Sequence, residues 1–514
     1  MSVDVQVIPK CAEKLGLKMH SEEGTEDKPC DIYWHSVFYE DMKDVVKSPD
    51  SWVSRFPGMK ELARKVALTE SIRSMQELFP EEYDFYPKSW AIPAQLKEFK
   101  EYCASKKNEN WFIVKPNAGT EGKEIYLINS PEQLKSITDK QLVQEYMDEP
   151  FLLENEAKFD FRIHVTVKSI DPLSIYIARG GIVRFCAEKY VKPNSSNADK
   201  LNAHLTNYVF NKDNPSFTNC VTFEEEPTAS KRFLETAFYQ IEARGVDAHR
   251  MWHEVQMIVV KTVIAMVPEL KLHYKNYFRD GPNQNCFQII GLDILLKKDG
   301  TPILLEVNAV PSLMVHHKKN PEDPFTMWSF VGEITEIPLV CDTFLLVLDQ
   351  LENHYNLLSS NERDVEALNH IASDEDNNSM KIKKDIKPHL YKIFPDRCGA
   401  ACNHLLFLNE VVHLFTQFTT LKFSMTINLA AIKDFIEKCS LSDIISPEQL
   451  EEEYAKINYY FTGQENDTTT ELPFHGFVQL LFHLARSKFG LHDNLLHVMQ
   501  KLLAHCDSSL KNSS

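Results

Sequence analysis

Apolar residues recur at helical spacing through MKELARKVALTESIRSMQELF (59–79), which predicts an amphipathic helix. Tyr86-Pro87 and Ile92-Pro93 end that pattern. Beyond them short strands alternate with loops. WFIVKP (111–116), IYLI (125–128), LVQEYM (142–147), FRIHVTVKS (161–169) and LSIYIARGGIVRF (173–185) read as strands, and AGTEGKE (118–124) as a glycine-containing loop. Two helical stretches follow, roughly 228–245 and 248–268, then the hairpin FQIIGLDILLKKDGTPILLEVN (287–308) and a helix near 335–350. Residues 1–30 are polar, with SEEGTEDK at 21–28, and read as a mobile tail. The stretch 355–388 is also polar and reads as a linker with a short helix. Residues 389–508 are almost wholly helical in pattern, and no repeat of solenoid period occurs. The expected division is a tail (1–30), an N-terminal part (31–110), an α/β core (111–351), a linker (352–388) and a helical domain (389–508).

At 514 residues the chain exceeds one ordinary core, so two or three domains are expected. Apolar content of 43% and charged content of 25% are those of a soluble globular protein. The formal net charge of -18 argues against general nucleic-acid binding, which needs a basic field. It leaves room for a local basic patch facing an acidic partner. The 11 cysteines show no paired framework. Cys186, Cys220, Cys286 and Cys341 lie in apolar runs and read as small buried hydrophobes. Cys398, Cys402, His404 and His413 cluster near one helix. Zinc is one reading, but the spacing matches no standard finger, and buried cysteines with surface histidines is the simpler one. MSVDVQVIPK carries no signal features, and no apolar run reaches the ~18–20 residues that span a bilayer. A reducing, cytosolic compartment and no membrane partner are expected.

Asp299-Gly300 is a hairpin turn signal. A two-residue loop pairs Lys298 with Thr301, Leu296 with Ile303 and Asp293 with Glu306. Strand alternation then puts Ile290, Leu292, Ile294, Ile303, Leu305 and Val307 on a core face. Gly291, Asp293, Leu295, Leu304, Glu306 and Asn308 share the other. Directly opposed carboxylates destabilise a sheet, so this face asks for a cation. Asp293, Glu306 and Asn308 describe a magnesium site with room for phosphate. The bland reading is that both acids face solvent.

Lys115 ends a strand and precedes a glycine-bearing loop, a unit able to fold over nucleotide phosphates or simply to form a surface hairpin. Lys158, Asp160 and Arg162 in KFDFR form a second charged set at a strand entrance. LVQEYM, ahead of it, offers backbone groups for an adenine hinge.

Taken in order, FPG (56–58), VKPNAGTEGKEI (114–125), VQEYM (143–147), KFDFRIHV (158–165), GGIVRF (180–185), HLTNY with a following lysine (204–212), GLDIL (291–295) and LLEVNAVPSL (304–313) resemble the tubulin-tyrosine-ligase-like family. The resemblance runs from about Phe56 to Leu351. It implies an α/β (α+β) fold with an ATP-grasp-type core and a separate C-terminal helical domain. It implies ATP contacts from Lys115, Gly119, Gly122, Gln144, Glu145, Tyr146, Met147, Lys158, Phe159, Asp160, Thr206 and Asn207. It places Mg2+ on Asp293, Glu306 and Asn308, the phosphoryl intermediate on Arg162, and the incoming amino acid on Arg184, Tyr208 and Lys212. The implied reaction phosphorylates a carboxylate, and an amine then displaces phosphate. The wording is nearer the glutamate-adding members. The expected partners are free glutamate and the acidic C-terminal tails of tubulin or microtubules. The expected location is the cytoplasm and cytoskeleton, cilium or basal body included.

Three positions depart from the family pattern. Glu121 and Glu124 stand where the loop has a basic or polar residue and a second glycine, and Glu336 stands where the later helix has a lysine. Acids near phosphate should weaken ATP binding. They motivate an alternative, a catalytically impaired microtubule-binding scaffold that keeps the fold. A free small-molecule carboxylate–amine ligase is a third reading, without the HLTNY and KFDFR wording. INYYFTGQENDTTTELPFHGFVQLLFHLA (457–485) resembles a degenerate EF-hand. Its loop lacks the alternating Asp/Asn ligands and terminal Glu for calcium, so a structural or docking module is expected, with His475 and His483 on the helix surface.

Overall fold

The computed structural model describes residues 7–20, 29–35, 46, 48–106, 110–117, 119, 122, 124–279, 285–313, 315–318, 326–360, 387–419, 424–490 and 494–513. Two antiparallel sheets wall a cleft. The smaller contains β1 (Ser89–Ile92), β2 (Phe112–Pro116), β3 (Tyr126–Ile128) and β4 (Gln141–Glu145), ordered β1-β4-β2-β3. The larger contains β5 (Ala157–Ile170), β6 (Leu173–Ala178), β7 (Ile182–Lys189), β8 (Lys231–Phe233), β9 (Gln288–Leu296) and β10 (Pro302–Asn308), ordered β8-β7-β5-β9-β10. On β5 the alternation is strict. Phe159, Phe161, Ile163 and Val165 enter the core, while Lys158, Asp160, Arg162 and His164 occupy the opposite face.

The run 173–185 forms two strands, β6 and β7, both antiparallel to β5. The break falls at its glycines: a Cβ on Gly181 would lie 2.9 Å from the Arg162 carbonyl oxygen. The hairpin also differs from expectation. Its loop has three residues rather than two, since the Lys297 N–H donates to the Thr301 carbonyl (2.9 Å) and Gly300 adopts φ 85. Leu296 therefore faces Pro302, not Ile303. A bulge at Leu305 then restores the register, and Asp293 does face Glu306. Two offsets cancel at the acids but not before them. Leu304 belongs to the core, and Ile303 and Leu305 line the cleft with Leu295.

Helix α1 (Val7–Lys14) lies inside the stretch read as a tail. Val7, Ile8, Cys11 and Ala12 share one buried face, which overrides the polar flanks. Helix α2 (Lys65–Leu78) falls within the predicted 59–79 stretch. The segment read as helix at 228–245 is β8 followed by a helix at Leu234–Glu242. Helix α3 (Ala248–Tyr277) continues through Pro268 and packs on the apolar face of the large sheet. Helix α4 (Phe330–Val347) covers the far part of the other face, where the Thr166 and Thr343 hydroxyls lie 3.2 Å apart. Lys10 of α1 pairs with Glu333 of α4 at 2.8 Å.

The C-terminal region opens with a strand, β11 (Leu390–Phe394), which extends the large sheet along β6, and is mainly helical after it. Then come α5 (Leu408–Phe418), β12 (Thr426–Ile427), α6 (Leu429–Lys438), α7 (Pro447–Thr462), β13 (Leu472–Pro473), α8 (Phe474–Phe489) and α9 (Leu495–Ser513). These form two helix–loop–helix units, α5–α6 and α7–α8, joined by the antiparallel pair β12–β13. The sequence pattern revealed only the second unit. Helix α8 contains no Asp or Glu, so it supplies no carboxylate to close a calcium loop. The Asp467 carboxylate accepts bonds from Thr469 and Thr470 instead. His475 is not on the surface. It is 2% exposed, with Nδ1 2.8 Å from Ser74 Oγ of α2 and Nε2 2.9 Å from Glu269 Oε1 of α3. His483 remains partly exposed, 3.4 Å from Glu453. Cys398 and Cys402 are buried, while His404 packs on Phe79. Among the described residues no group of three or more His, Cys, Asp or Glu converges as a metal cluster, and no helix is long and apolar enough to cross a membrane.

Candidate active site

Register brings the hairpin acids beside the charged face of β5, since Asp293 pairs with Arg162 across the ladder. Asp293 is 2% exposed and accepts from Arg162 (Nη2–Oδ2, 2.9 Å) and from Arg184 (Nη2–Oδ2, 2.7 Å). Arg184 also grips Asp160 through both nitrogens, at 2.8 and 2.6 Å, and Thr206 donates to the same carboxylate at 2.7 Å. Burial opposes charge on Asp293, but Arg162 and Arg184 outweigh it and hold its carboxyl well below the usual range. Burial and then the Asp293 charge push Glu306 up. Asn308 Nδ2 lies 3.5 Å from both carboxylates. Two like charges at about 4 Å repel by about 4 kcal/mol at the effective dielectric near a protein surface. Two carboxylates and an amide converging in this way suit a hard divalent cation such as magnesium.

Across the cleft, Lys115 Nζ donates to Gln144 Oε1 (2.7 Å) and lies 3.4 Å from the Leu305 carbonyl. Lys158 Nζ donates to the Tyr146 hydroxyl (2.9 Å) and sits 4.0 Å from that ring's centre. Burial pulls both lysines down to about 8, against the attraction of Glu306 for Lys115 and of Cys186 and Asp160 for Lys158. The loop after β2 is tied to α2. The Lys65 ammonium donates to the Gly119 carbonyl (3.0 Å), and the Val66 N–H donates to Asn117 Oδ1 (3.1 Å). Gly122 adopts φ 80, and a Cβ there would lie 2.4 Å from Phe210 Cε2. Glu124 adopts φ 62, a conformation that costs a non-glycine residue about 1–3 kcal/mol. Glu121 lies outside the described residues.

The cleft encloses about 690 Å³ of space between the sheets, part of it open to solvent. Ile113, Leu295, Ile303 and Leu305 supply apolar walls, and Glu145, Tyr146 and Met147 line one edge. The N–H groups of Glu145 and Tyr146 are bound to the carbonyls of Lys88 and Trp111, so a purine edge in this stretch would meet Met147. Thr206, Asn207 and His204 close the other side. His204 Nδ1 lies 3.0 Å from the Tyr146 hydroxyl.

Gly119, Gly122 and Tyr208 stand outside the residues that line the cleft, and two more expected residues are set apart from it. The Phe159 ring is 1% exposed in the core, 5.2 Å from Phe185, because odd positions of β5 face away from the cleft. Lys212 follows the short Tyr208–Asn211 helix and does not line the cleft. Besides Arg162, a further cation beside Arg184 is Lys231, its ladder partner on β8. Lys231 Nζ sits 4.2 Å from the Tyr208 ring centre. Burial pulls Lys231 down to about 8, against the pull of Glu336 and with the push of Arg184 and Arg162. Glu336 itself is 4% exposed on α4. Lys231 escaped notice because its segment reads as helix, and Lys65 because it sits among periodic helical residues with nothing local to mark it.

A model of the tubulin-tyrosine ligase family matches residues 43–323, and a model described as tubulin polyglutamylase TTLL11, EF-hand, matches residues 391–514. Tubulin polyglutamylase ttll-11 of Caenorhabditis elegans is 46% identical, over 98% of this chain and 72% of that protein. Tubulin polyglutamylase TTLL11 of Homo sapiens is 34% identical, over 90% of this chain and 67% of that protein. A probable beta-tubulin polyglutamylase of Tetrahymena thermophila is 36% identical over 56% of this chain and 24% of that protein. The first of these matches runs through both sheets that wall the cleft, and the chain belongs to the tubulin-tyrosine ligase family.

Proposed function

We propose that this chain is an ATP-dependent ligase that adds glutamate to glutamate side chains of tubulin tails. The observation that carries the reading is the Asp293–Glu306–Asn308 face of the hairpin set opposite Lys115 across one cleft, with Lys158 on the adjoining strand of the hairpin's own sheet. The relatives named as tubulin polyglutamylases support the substrate. The purine lies against Met147 and the apolar wall. The phosphates lie under Lys115, Lys158 and Lys65, with Gly119 and Gly122 beside them. Magnesium held by Asp293, Glu306 and Asn308 supplies charge neutralisation for the phosphoryl oxygens.

A tail carboxylate oxygen attacks the γ-phosphorus, the bond to ADP breaks, and an acyl phosphate forms. Arg162 and Arg184 offset the charge on the transferring group. The α-amine of free glutamate then attacks the acyl carbon. An amide forms, inorganic phosphate leaves and a proton is released. Arg184 and Lys231, with Tyr208 beside them, bind the carboxylates of the incoming glutamate. The test incubates the protein with microtubules, ATP, magnesium and radiolabelled glutamate, with glycine and tyrosine as controls. Label in tubulin from glutamate alone is the expected result. No transfer under conditions where an active relative works would reject the reading.

A second reading, a scaffold that binds microtubules without turnover, is favoured by the left-handed Glu124 and by buried Glu336 facing Lys231. ATP-dependent label transfer that Glu306→Gln abolishes would exclude it.

A further inference from the structure

We propose that the C-terminal helical module braces the nucleotide loop through α2, with His475 as its main positioning residue. The inference rests on the reading that the loop after β2 holds the phosphates of ATP.

One helix joins the two places. The first turn of α2 holds the loop, through Lys65 on the Gly119 carbonyl and the Val66 N–H on Asn117. The Lys65 charge also reaches Lys115 and Glu306. The later turns of α2 are held by the module. Ser74 meets His475 Nδ1 at 2.8 Å, the Arg73 guanidinium lies 5.0 Å from the Tyr460 ring centre, and Glu77 accepts from Gln479 at 3.2 Å. The second nitrogen of His475 lies 2.9 Å from Glu269 of α3, so one buried ring bonded to α2 also abuts a second helix of the ligase region.

Paired helix–loop–helix modules commonly grip an amphipathic helix of another protein. Here α2 lies against α8 and α9, so the helix gripped belongs to the same chain. Its Ile72 and Met75 are 0% exposed in the core that the module shares with the large sheet. Apolar packing of this kind is non-directional and permits small slips. The buried Ser74–His475 bond is directional, and a slip would leave polar atoms unpaired. Since α8 carries no acid, calcium in the α7–α8 loop does not set the grip. A rotation of α2 would carry Lys65 and Val66 away from Gly119 and Asn117, which loosens the loop and weakens nucleotide binding without touching a ligand.

The test uses the full chain with His475→Ala, Ser74→Ala, the conservative His475→Asn, and His483→Ala as a control on the outer face of α8. Hydrogen exchange is followed in peptides covering residues 115–125 with no nucleotide present. The brace predicts exchange at least about fivefold faster for the two alanine variants at the bond, near-normal exchange for His475→Asn, and no change for His483→Ala. The dissociation constant of a non-hydrolysable ATP analogue should rise about five- to tenfold. Lys65→Met combined with His475→Ala should bind no worse than Lys65→Met alone, since both act through one helix. Faster exchange confined to the module, with the loop unchanged, overturns the proposal and leaves His475 a stability residue only. Ser74→Ala keeps the test valid if His475→Ala does not fold. A loop that responds to His475 in a protein that binds no nucleotide supports the brace and rejects the ligase reading.

Discussion

Two regions of this chain carry scaffolds that can hold a cation, and their side chains do opposite things. On the hairpin, Asp293 is 2% exposed, and two arginines hold it ionised against burial while burial and its charge push Glu306 up. In the second helix–loop–helix unit, Asp467 is spent on two threonines of its own loop, and the following helix has no acid. The first region concentrates buried charge that a sheet alone would not favour. The second keeps a shape and replaces ligand chemistry with apolar packing and a buried histidine. The difference teaches that a cation site is recognised by acidic oxygens converging on one point, not by the fold that presents them.

Glu306→Gln should break the contrast most severely. It keeps size and hydrogen bonding but removes a charge, so glutamate transfer should fall about a thousandfold or more by radiolabel assay. Asp467→Asn should leave transfer unchanged in the same assay. A fall of similar size for Asp467→Asn would erase the distinction. Next comes the loop. Gly122→Ala forces a Cβ toward Phe210 at positive φ, and should weaken ATP-analogue binding about tenfold by calorimetry. Glu124→Gly should tighten binding by a few-fold, because it relieves backbone strain and removes an acid near the phosphates.

How much of this was legible follows from the range of each signal. Alternation within one strand is local, so KFDFR announced Lys158, Asp160 and Arg162 on one face. The same alternation, followed in the structure, turns Phe159 into the core, away from the role that the family resemblance assigned to it. The Asp293–Glu306 pairing was legible, though the turn and the Leu305 bulge each shift the register by one and only their sum is right. Lys231 was not legible, since whether its segment is strand or helix depends on pairing with β7, which no local pattern encodes. His475 and Lys65 gain their roles from helices distant in sequence.

The pH dependence is the next, smaller effect. Burial places Lys115 and Lys158 at about 8 in the free protein. Nucleotide phosphates favour the ammonium form, so binding raises both values and takes up protons near pH 8. Affinity should be flat below about pH 7 and fall as pH rises through about 8. Calorimetry in buffers of different ionisation enthalpy checks the proton uptake. Proton release would reverse the sign and contradict the lysine assignment. The smallest effect belongs to the other region. Calcium at about 1 mM, above the affinity range of sensor loops, should shift the melting temperature by less than about 1 °C. A larger rise would mean that the helix–loop–helix units do bind the ion.

The most direct measurement follows an oxygen atom. Tubulin-tail peptide bearing heavy oxygen in its glutamate carboxylates is incubated with the full chain, ATP, magnesium and glutamate, and the released phosphate is examined by mass spectrometry. If the buried hairpin acids serve an acyl-phosphate ligase, each glutamate added leaves one heavy oxygen in inorganic phosphate, and Glu306→Gln yields neither product. Glutamate incorporation with unlabelled phosphate would contradict the account.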